Sequence, residues 1–119
     1  MPIIQVLELL QQEYPEVNWF TNEVPEEFQT LPNLPVGRVV ELDMNYHAYA
    51  SADPNLYTTH LQLDMWVNDM HDISKYYMAL DKTMRADNVQ CSYSEQTYDP
   101  DLEGSRRIIK RYDITNRVV

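Results

Sequence analysis

The spacing of apolar residues predicts two amphipathic helices. In residues 2–14 the apolar positions recur every three or four residues, Pro2 suits the first turn, and Pro15 ends the pattern. Residues 72–87 show the same period, and Asp72 suits the N-cap position of that helix. The predicted buried stripes are Ile3, Val6, Leu7, Leu10 and Tyr14 in the first helix and Ile73, Tyr76, Tyr77, Leu80 and Met84 in the second.

Alternation of apolar and polar residues predicts strands, most clearly over residues 56–67. The residues predicted to face the core are Leu61, Leu63, Met65 and Val67. The residues predicted to face the opposite side of the sheet are His60, Gln62, Asp64 and Trp66. Trp66 is unusual on that polar side, because burying an indole there requires a second layer or a partner. Three further strands are predicted at residues 36–43, 90–98 and 106–114.

The segments between these elements are predicted to be irregular. Residues 16–35 hold three of the seven prolines, and their aromatic residues Trp19 and Phe20 are expected to fill the core. The run Asp53-Pro54-Asn55 is predicted to form a turn. The resulting order is α-β-β-α-β-β. The predicted fold class is therefore α+β, with helices packed on a mainly antiparallel or mixed four-stranded sheet in one domain over residues 1–119.

Composition supports a folded chain in a reducing compartment. The 119 residues are 44% hydrophobic with a net charge of -10, and their aromatic content is too high for a disordered chain. Cys91 is the single cysteine, so no internal disulfide can form. The sequence has no recognisable signal peptide and no apolar run of the roughly 20 residues that a membrane span requires. We therefore expect a soluble protein made in the cytosol.

The charge is unevenly distributed along the chain. Residues 1–59 contain nine acidic residues and one basic residue, Arg38, whereas residues 60–119 contain ten acidic and eight basic residues. Four of the nine basic residues lie between Arg106 and Arg111. An acidic body repels phosphate, so nonspecific binding to nucleic acid is disfavoured.

No pattern in the sequence indicates catalysis, and neither a cofactor nor a metal is expected. Residues 99–104 resemble the first half of an EF-hand loop, but Lys110 stands where the bidentate glutamate belongs. We therefore expect a solvated hairpin loop with Gly104 at its turn. The histidines His47, His60 and His71 have no zinc-type spacing with each other or with Cys91.

Three aspartates could suggest a metal-dependent nuclease. Three tyrosines could suggest a loop that docks on a neighbouring molecule. Asp64, Asp69 and Asp72 lie at a predicted strand end and helix start, where acids are expected for local reasons. The tyrosines of residues 44–57 could belong to a projecting loop that docks on a neighbour, or could pack locally. They are Tyr46, Tyr49 and Tyr57.

The last predicted strand carries its cations on one face. Arg107 and Arg111 share that face. One interpretation is a solvated sheet surface. The other is an intersubunit surface, in which these arginines pair with acids such as Asp64 or Glu95 and Trp66 supplies apolar area.

Four runs in the second half of the chain, taken together, resemble a known family. They are YTTHLQLDMWV at residues 57–67, ISKYYMALDKTM at 73–84, YDPDLEG at 98–104 and RIIKRY at 107–112. Their order and spacing resemble the tail-terminator, or tail-completion, proteins of siphophages that infect Gram-positive bacteria. The likeness covers roughly residues 56–114.

The resemblance implies a mixed α/β subunit of a structural virion protein rather than an enzyme. Such subunits form a hexameric ring that caps the tail tube, contacts the major tail tube protein, and offers its other face to the head-side connector or stopper protein. Phage DNA would pass through the lumen without specific binding, and no membrane is involved. The resemblance assigns no catalytic residues and no contact residues.

Two other functions remain open from the sequence. A second neck component, such as a head-closure protein, would form a larger connector ring. A small acidic DNA mimic would instead inhibit a nucleic-acid-binding enzyme. The net charge of -10 suits the mimic, but the basic segment from Arg106 to Arg111 would interrupt a phosphate-like surface.

Overall fold

The computed structural model describes residues 1–50 and 53–118 of the chain. Its helices and strands, in order, are α1 (Pro2–Glu13), β1 (Asn18–Thr21), β2 (Val36–Ala50), β3 (Asp53–Val67), α2 (Met70–Ala86), β4 (Val89–Tyr98) and β5 (Arg106–Arg117). Two short 3-10 turns, Glu26–Phe28 and Leu31–Asn33, lie between β1 and β2. The fold is mixed α/β, with more residues in strands than in helices.

The five strands form one sheet in the order β1-β2-β3-β5-β4. Strand β1 is parallel to β2, and every other neighbouring pair is antiparallel. Strand β3 lies at the centre and is paired along nearly its whole length, with β2 on one side and β5 on the other. This position explains why β3 has the clearest alternation in the sequence, since one of its faces must be apolar to pack in the core and the other must not be.

The prediction of a four-stranded sheet in the order α-β-β-α-β-β was wrong. The missed strand is β1, four residues within the segment that was expected to be irregular. A run this short shows no measurable period, and β1 forms only because it can pair with Val36 to Val39. Gly37 permits this pairing, because a Cβ there would lie 2.2 Å from a ring carbon of Trp19.

The predicted ends of several elements also differ from the structure. Strand β2 continues to Ala50 and β3 begins at Asp53, so the predicted turn at Asp53-Pro54-Asn55 is part of a strand. Residues 51 and 52 lie outside the described part of the chain. The N-cap of α2 is Asp69, whose side chain accepts a hydrogen bond from the Asp72 backbone amide. Asp72 itself lies in the first turn, where its charge favours the helix dipole.

Both helices pack on the same face of the sheet, and this side holds the core. The alternation in β3 is confirmed, because Leu61, Leu63, Met65 and Val67 are all buried there. The helix side chains buried in the hydrophobic core are Val6 and Leu10 from α1 and Ile73, Tyr76, Leu80 and Met84 from α2. Trp19 is also buried, while Phe20 is half-buried against Phe28.

A buried ion pair joins α2 to the sheet on the core side. The Lys110 ammonium, on β5, donates to Asp81 Oδ2 at 3.0 Å and to Ser94 Oγ at 2.9 Å. The Tyr112 hydroxyl donates to the other carboxylate oxygen of Asp81 at 2.8 Å. Burial and this hydrogen bond raise the pKa of Tyr112 far above its ordinary value, so the hydroxyl stays a donor. On the core side of the sheet, the polar groups of this cluster therefore satisfy one another's hydrogen bonds.

Candidate assembly surface

The face of the sheet opposite the helices, here called the open face, carries most of the charged side chains of the central strands. Its members alternate with the core residues, and the strand register places them side by side. They are Arg38 from β2, Gln62, Asp64 and Trp66 from β3, Arg107, Ile109 and Arg111 from β5, and Tyr93, Glu95 and Thr97 from β4. All five residues predicted for an intersubunit surface lie on this face.

Asp64 is the centre of the open face and is fully buried. Arg38 Nε donates to Asp64 Oδ2 at 3.0 Å, and Arg107 Nη2 donates to Asp64 Oδ1 at 2.7 Å. The amide of Gln62 lies 3.2 Å from both carboxylate oxygens. One carboxylate thus holds two guanidinium groups from the two flanking strands. Such charge-assisted hydrogen bonds fix the relative positions of β2, β3 and β5.

Trp66 lies between the same two arginines. The guanidinium carbons of Arg38 and Arg107 lie 5.5 Å and 5.2 Å from the centre of its ring system, within the range of cation–π attraction. Its indole Nε1 donates to Asp99 Oδ2, in the β4–β5 loop, at 2.6 Å. Trp66 is therefore half-buried within its own chain. The second layer that was predicted to cover its ring is supplied in part by the β4–β5 loop.

A cavity of about 240 Å³ lies beside Trp66 and Arg38. Its apolar lining is Val24, Phe28, Leu34, Val36 and Leu102, and its charged lining is Glu23, Arg38, Asp99 and Asp101. Three carboxylates against one guanidinium give this lining a net negative charge, which disfavours phosphate and other anions.

Arg111 differs from Arg107 in having no carboxylate partner among the described residues. It is exposed, its Nε donates to Gln62 Oε1 at 3.2 Å, and its guanidinium lies over the ring of Tyr93. The Tyr93 hydroxyl in turn donates to Glu95 Oε2 at 2.5 Å. This hydrogen bond raises the pKa of Tyr93 above its usual value. Arg111 and Glu95 therefore present their charges to solvent.

The structure changes the expectation for two of the five predicted residues. Arg107 and Asp64 pair within one chain, and Asp64 has no exposed surface to offer a partner. Sequence reasoning missed Arg38 and Asp99, which complete the cluster around Trp66. Arg38 is the lone cation of residues 1–59, but only the β2–β3 register places it opposite Asp64.

The distal halves of β2 and β3, together with the end of β5, form an arm that reaches past the helices. The arm contributes to a longest dimension of 54 Å against 26 and 24 Å for the other two. It exposes Leu42, Met44, Tyr46 and Tyr49. Tyr46 also packs edge-to-face on Tyr57 at 6.4 Å. A projecting loop and local packing were both open for these tyrosines; they lie on strands, where Tyr46 packs on Tyr57 and Tyr46 and Tyr49 are exposed.

The histidines and the acidic loop serve local structure. His60 Nδ1 contacts Asp113 Oδ1 at 2.5 Å, and His47 Nε2 contacts Thr58 Oγ1 at 2.8 Å. Asp99 accepts a hydrogen bond from the Asp101 amide, as in a turn between strands, and Gly104 has a φ of 89°. No group of three or more potential ligands within residues 1–50 and 53–118 could hold a metal ion.

Comparison of the sequence with models of protein families and with curated proteins gives no match in either case. None of the helices in the described ranges is long and apolar enough to cross a membrane.

Proposed function

We propose that this protein is a structural virion component that caps a siphophage tail tube as a homo-oligomeric ring, with six copies, and joins the tail to the head. The family in this proposal comes from the resemblance of residues 56–114 to tail-terminator proteins. The observation that carries the proposal in the structure is the arm with its exposed tyrosines, leucine and methionine. A monomer rarely exposes large apolar groups together unless they contact another molecule.

The open face supports the same proposal. Arg111 and Glu95 present opposite charges to solvent a short distance apart, beside the exposed ring of Tyr93. Aromatic residues and arginine are enriched in protein interfaces, and charges at the rim of an interface set its register. In this proposal the ring contacts the major tail tube protein on one side and the head-side connector protein on the other.

The acidic charge fits a channel through which DNA passes. A ring of six copies, each with a net charge of -10, would carry a formal charge of about -60. Carboxylates in the lumen would repel phosphate and let the DNA slide rather than adhere. The cations of β5 would then offset repulsion where subunits meet. The protein is made in the host cytoplasm and resides in the virion neck.

The mass of the purified protein tests the proposal. Native mass spectrometry and light scattering, with and without magnesium, should give six times 14.1 kDa, about 85 kDa. If the protein alone is monomeric, addition of purified tail tubes should produce the ring at one end of each tube. A dodecamer would favour a connector of the neck instead. A monomer that ignores tail tubes and binds a DNA-binding enzyme would favour the DNA mimic.

A further inference from the structure

Two strands of the sheet have a long free edge. Strand β1 pairs with β2 only from Val36 to Val39, so the edge of β2 from Val40 onward is unpaired among the described residues. At the other side of the sheet, β4 pairs with β5 alone. Free edges are templates for pairing with another chain, because their backbone N–H and C=O groups lack partners.

Neither edge carries a lysine or a proline, two of the usual protections against such pairing. Residues 40–50 and 90–98 contain no lysine and no proline. Each strand has one irregularity in its register, at Leu42 in β2 and at Ser92 in β4. Ala48, with a φ of 56°, ends the regular part of the β2 edge. Regular free edges therefore extend over residues 43–47 and 93–98, the common length of a paired strand.

Exposed apolar side chains are concentrated on the same two strands. Half of the large apolar side chains that the described residues expose lie there, namely Leu42, Met44, Tyr46 and Tyr49 on β2 and Tyr93 and Tyr98 on β4. Tyr46 is 50% exposed and Tyr98 is 69% exposed. The register places Met44, Tyr46 and Tyr98 on the helix side of the sheet. Pairing the two edges would bring these groups onto one face.

Polar side chains on the open face of the two strands can also pair. The β2 edge presents Asp43 and His47 on that side. Across the sheet, β4 and β5 present Glu95 and Arg111 on the same side. An antiparallel register that puts Tyr46 opposite Gln96 also puts His47 opposite the exposed Glu95 on the open face, and Met44 opposite Tyr98 on the helix side. A second copy can therefore supply what each edge lacks.

Strand direction makes the two edges compatible in a ring. Strands β2 and β5 run one way, and β3 and β4 run the other way. Placing the β2 of the next copy beside β4 continues this alternation as an antiparallel pair. Because the two edges are different, the contact is head-to-tail, and such contacts generate rings when the rotation closes.

The two edges lie at different heights in the sheet. Val89, at the start of β4, is level with Thr59 and Met44, whereas the arm continues to Ala50. Pairing them slides each copy along the strand direction relative to its neighbour. A closed sheet requires such a stagger, and its strands tilt to accommodate it.

We propose that the free edge of β2 in one copy pairs antiparallel with the free edge of β4 in the next copy, so that the sheets join around the ring. This inference rests on the proposed ring and names the strands that close it. The occupant of each edge is a second copy of this chain, held by backbone hydrogen bonds, by Met44 and tyrosines on the helix side and by His47 and Glu95 on the open face.

Thiol cross-linking of the assembled protein tests the pairing. Tyr46→Cys and Gln96→Cys are combined in a Cys91→Ser background and treated with a flexible bismaleimide. Both positions are exposed and on the helix side of the sheet. The expected product is a ladder of cross-linked species up to the full ring. The control replaces Gln96→Cys with Gln29→Cys, next to the opposite edge of the sheet, and should give no ladder.

The outcomes separate this inference from the proposed function. Dimers from the Tyr46→Cys, Cys91→Ser protein alone would mean that two β2 edges pair with each other, which overturns the inference. A ring of the expected mass that gives no ladder also overturns it, while the proposed function stands. If the protein is monomeric, the cross-linking is done on tail tubes carrying it. A protein that neither oligomerises nor binds tubes would overturn both.

Discussion

At the scale of the residue, Asp64 shows how a buried charge is tolerated in the sheet. Its carboxylate is fully buried, yet it accepts hydrogen bonds from Arg38, Arg107 and Gln62. The side chains of the two arginines stay 29% and 25% exposed, so their charges keep part of their hydration. The cluster satisfies the desolvated carboxylate, and Asp64 and Asp99 together balance the charge of the two arginines around Trp66.

Asp64→Asn should lower the free energy of unfolding, measured in urea, by about 2 kcal/mol. The amide NH2 of asparagine would point a hydrogen-bond donor at one guanidinium group, and the negative charge between the two arginines would be lost. The partial exposure of the arginines keeps the loss below that of a fully buried pair. Glu95→Gln, an exposed acid on the same face, is the control and should change stability by less than about 0.5 kcal/mol. Equal effects of the two substitutions would contradict a structural role for Asp64.

At the scale of the element, the Lys110–Asp81 pair ties α2 to β5. The ammonium is fully buried and lies 3.9 Å from the centre of the Tyr77 ring. Asp81 is held from two sides, by Lys110 and by Tyr112. Such a pair adds little net stability, but removing one member leaves the other charge buried without compensation. The pair therefore fixes the position of α2 rather than the overall stability.

Lys110→Met should cost about 3 kcal/mol in the free energy of unfolding, because Asp81 would be left buried beside an apolar side chain. In the double variant Lys110→Met, Asp81→Leu, both charges are gone, and the loss should be smaller than the sum of the two single losses by roughly 1–3 kcal/mol. Lys82→Met, at the exposed neighbouring position, serves as control and should be close to neutral. Additive losses in this cycle would show that the two groups do not interact.

At the scale of the whole molecule, charge and shape are both asymmetric. One half of the sequence is strongly acidic, and the cations gather on the last strand. The arm extends at one end of the sheet, while the helices cover only one face. The two sides of such a subunit differ in charge and present different edge strands, so contacts between copies are head-to-tail.

Arg111→Glu should weaken assembly at least tenfold in sedimentation or light scattering at low salt, since this exposed cation beside β4 offsets repulsion between acidic copies. Its effect on monomer unfolding should be small. Lys82→Glu changes the charge equally at an exposed position of α2 and should leave assembly unchanged. Undiminished assembly of Arg111→Glu would remove this residue from the interface.

The sequence by itself determined the elements that have a clear period. Both helices and the core side of β3 follow from local spacing, because each buried stripe is encoded within a single element. The placement of Trp66 on the polar side was also readable from alternation alone. The need for a second layer over it followed from the size of the indole.

Only the tertiary structure decided which elements meet. Strand β1 is too short to show a period and exists because Gly37 lets Trp19 lie over β2. The two arginine partners of Asp64 come from other strands, 26 and 43 residues away in the sequence, so their meeting depends on sheet register, which no local pattern encodes. The predicted turn at Asp53 became strand because pairing along the arm outweighed the local preference of Asp-Pro-Asn. Local spacing fixes the face that a residue points to, and long-range pairing fixes its neighbours there.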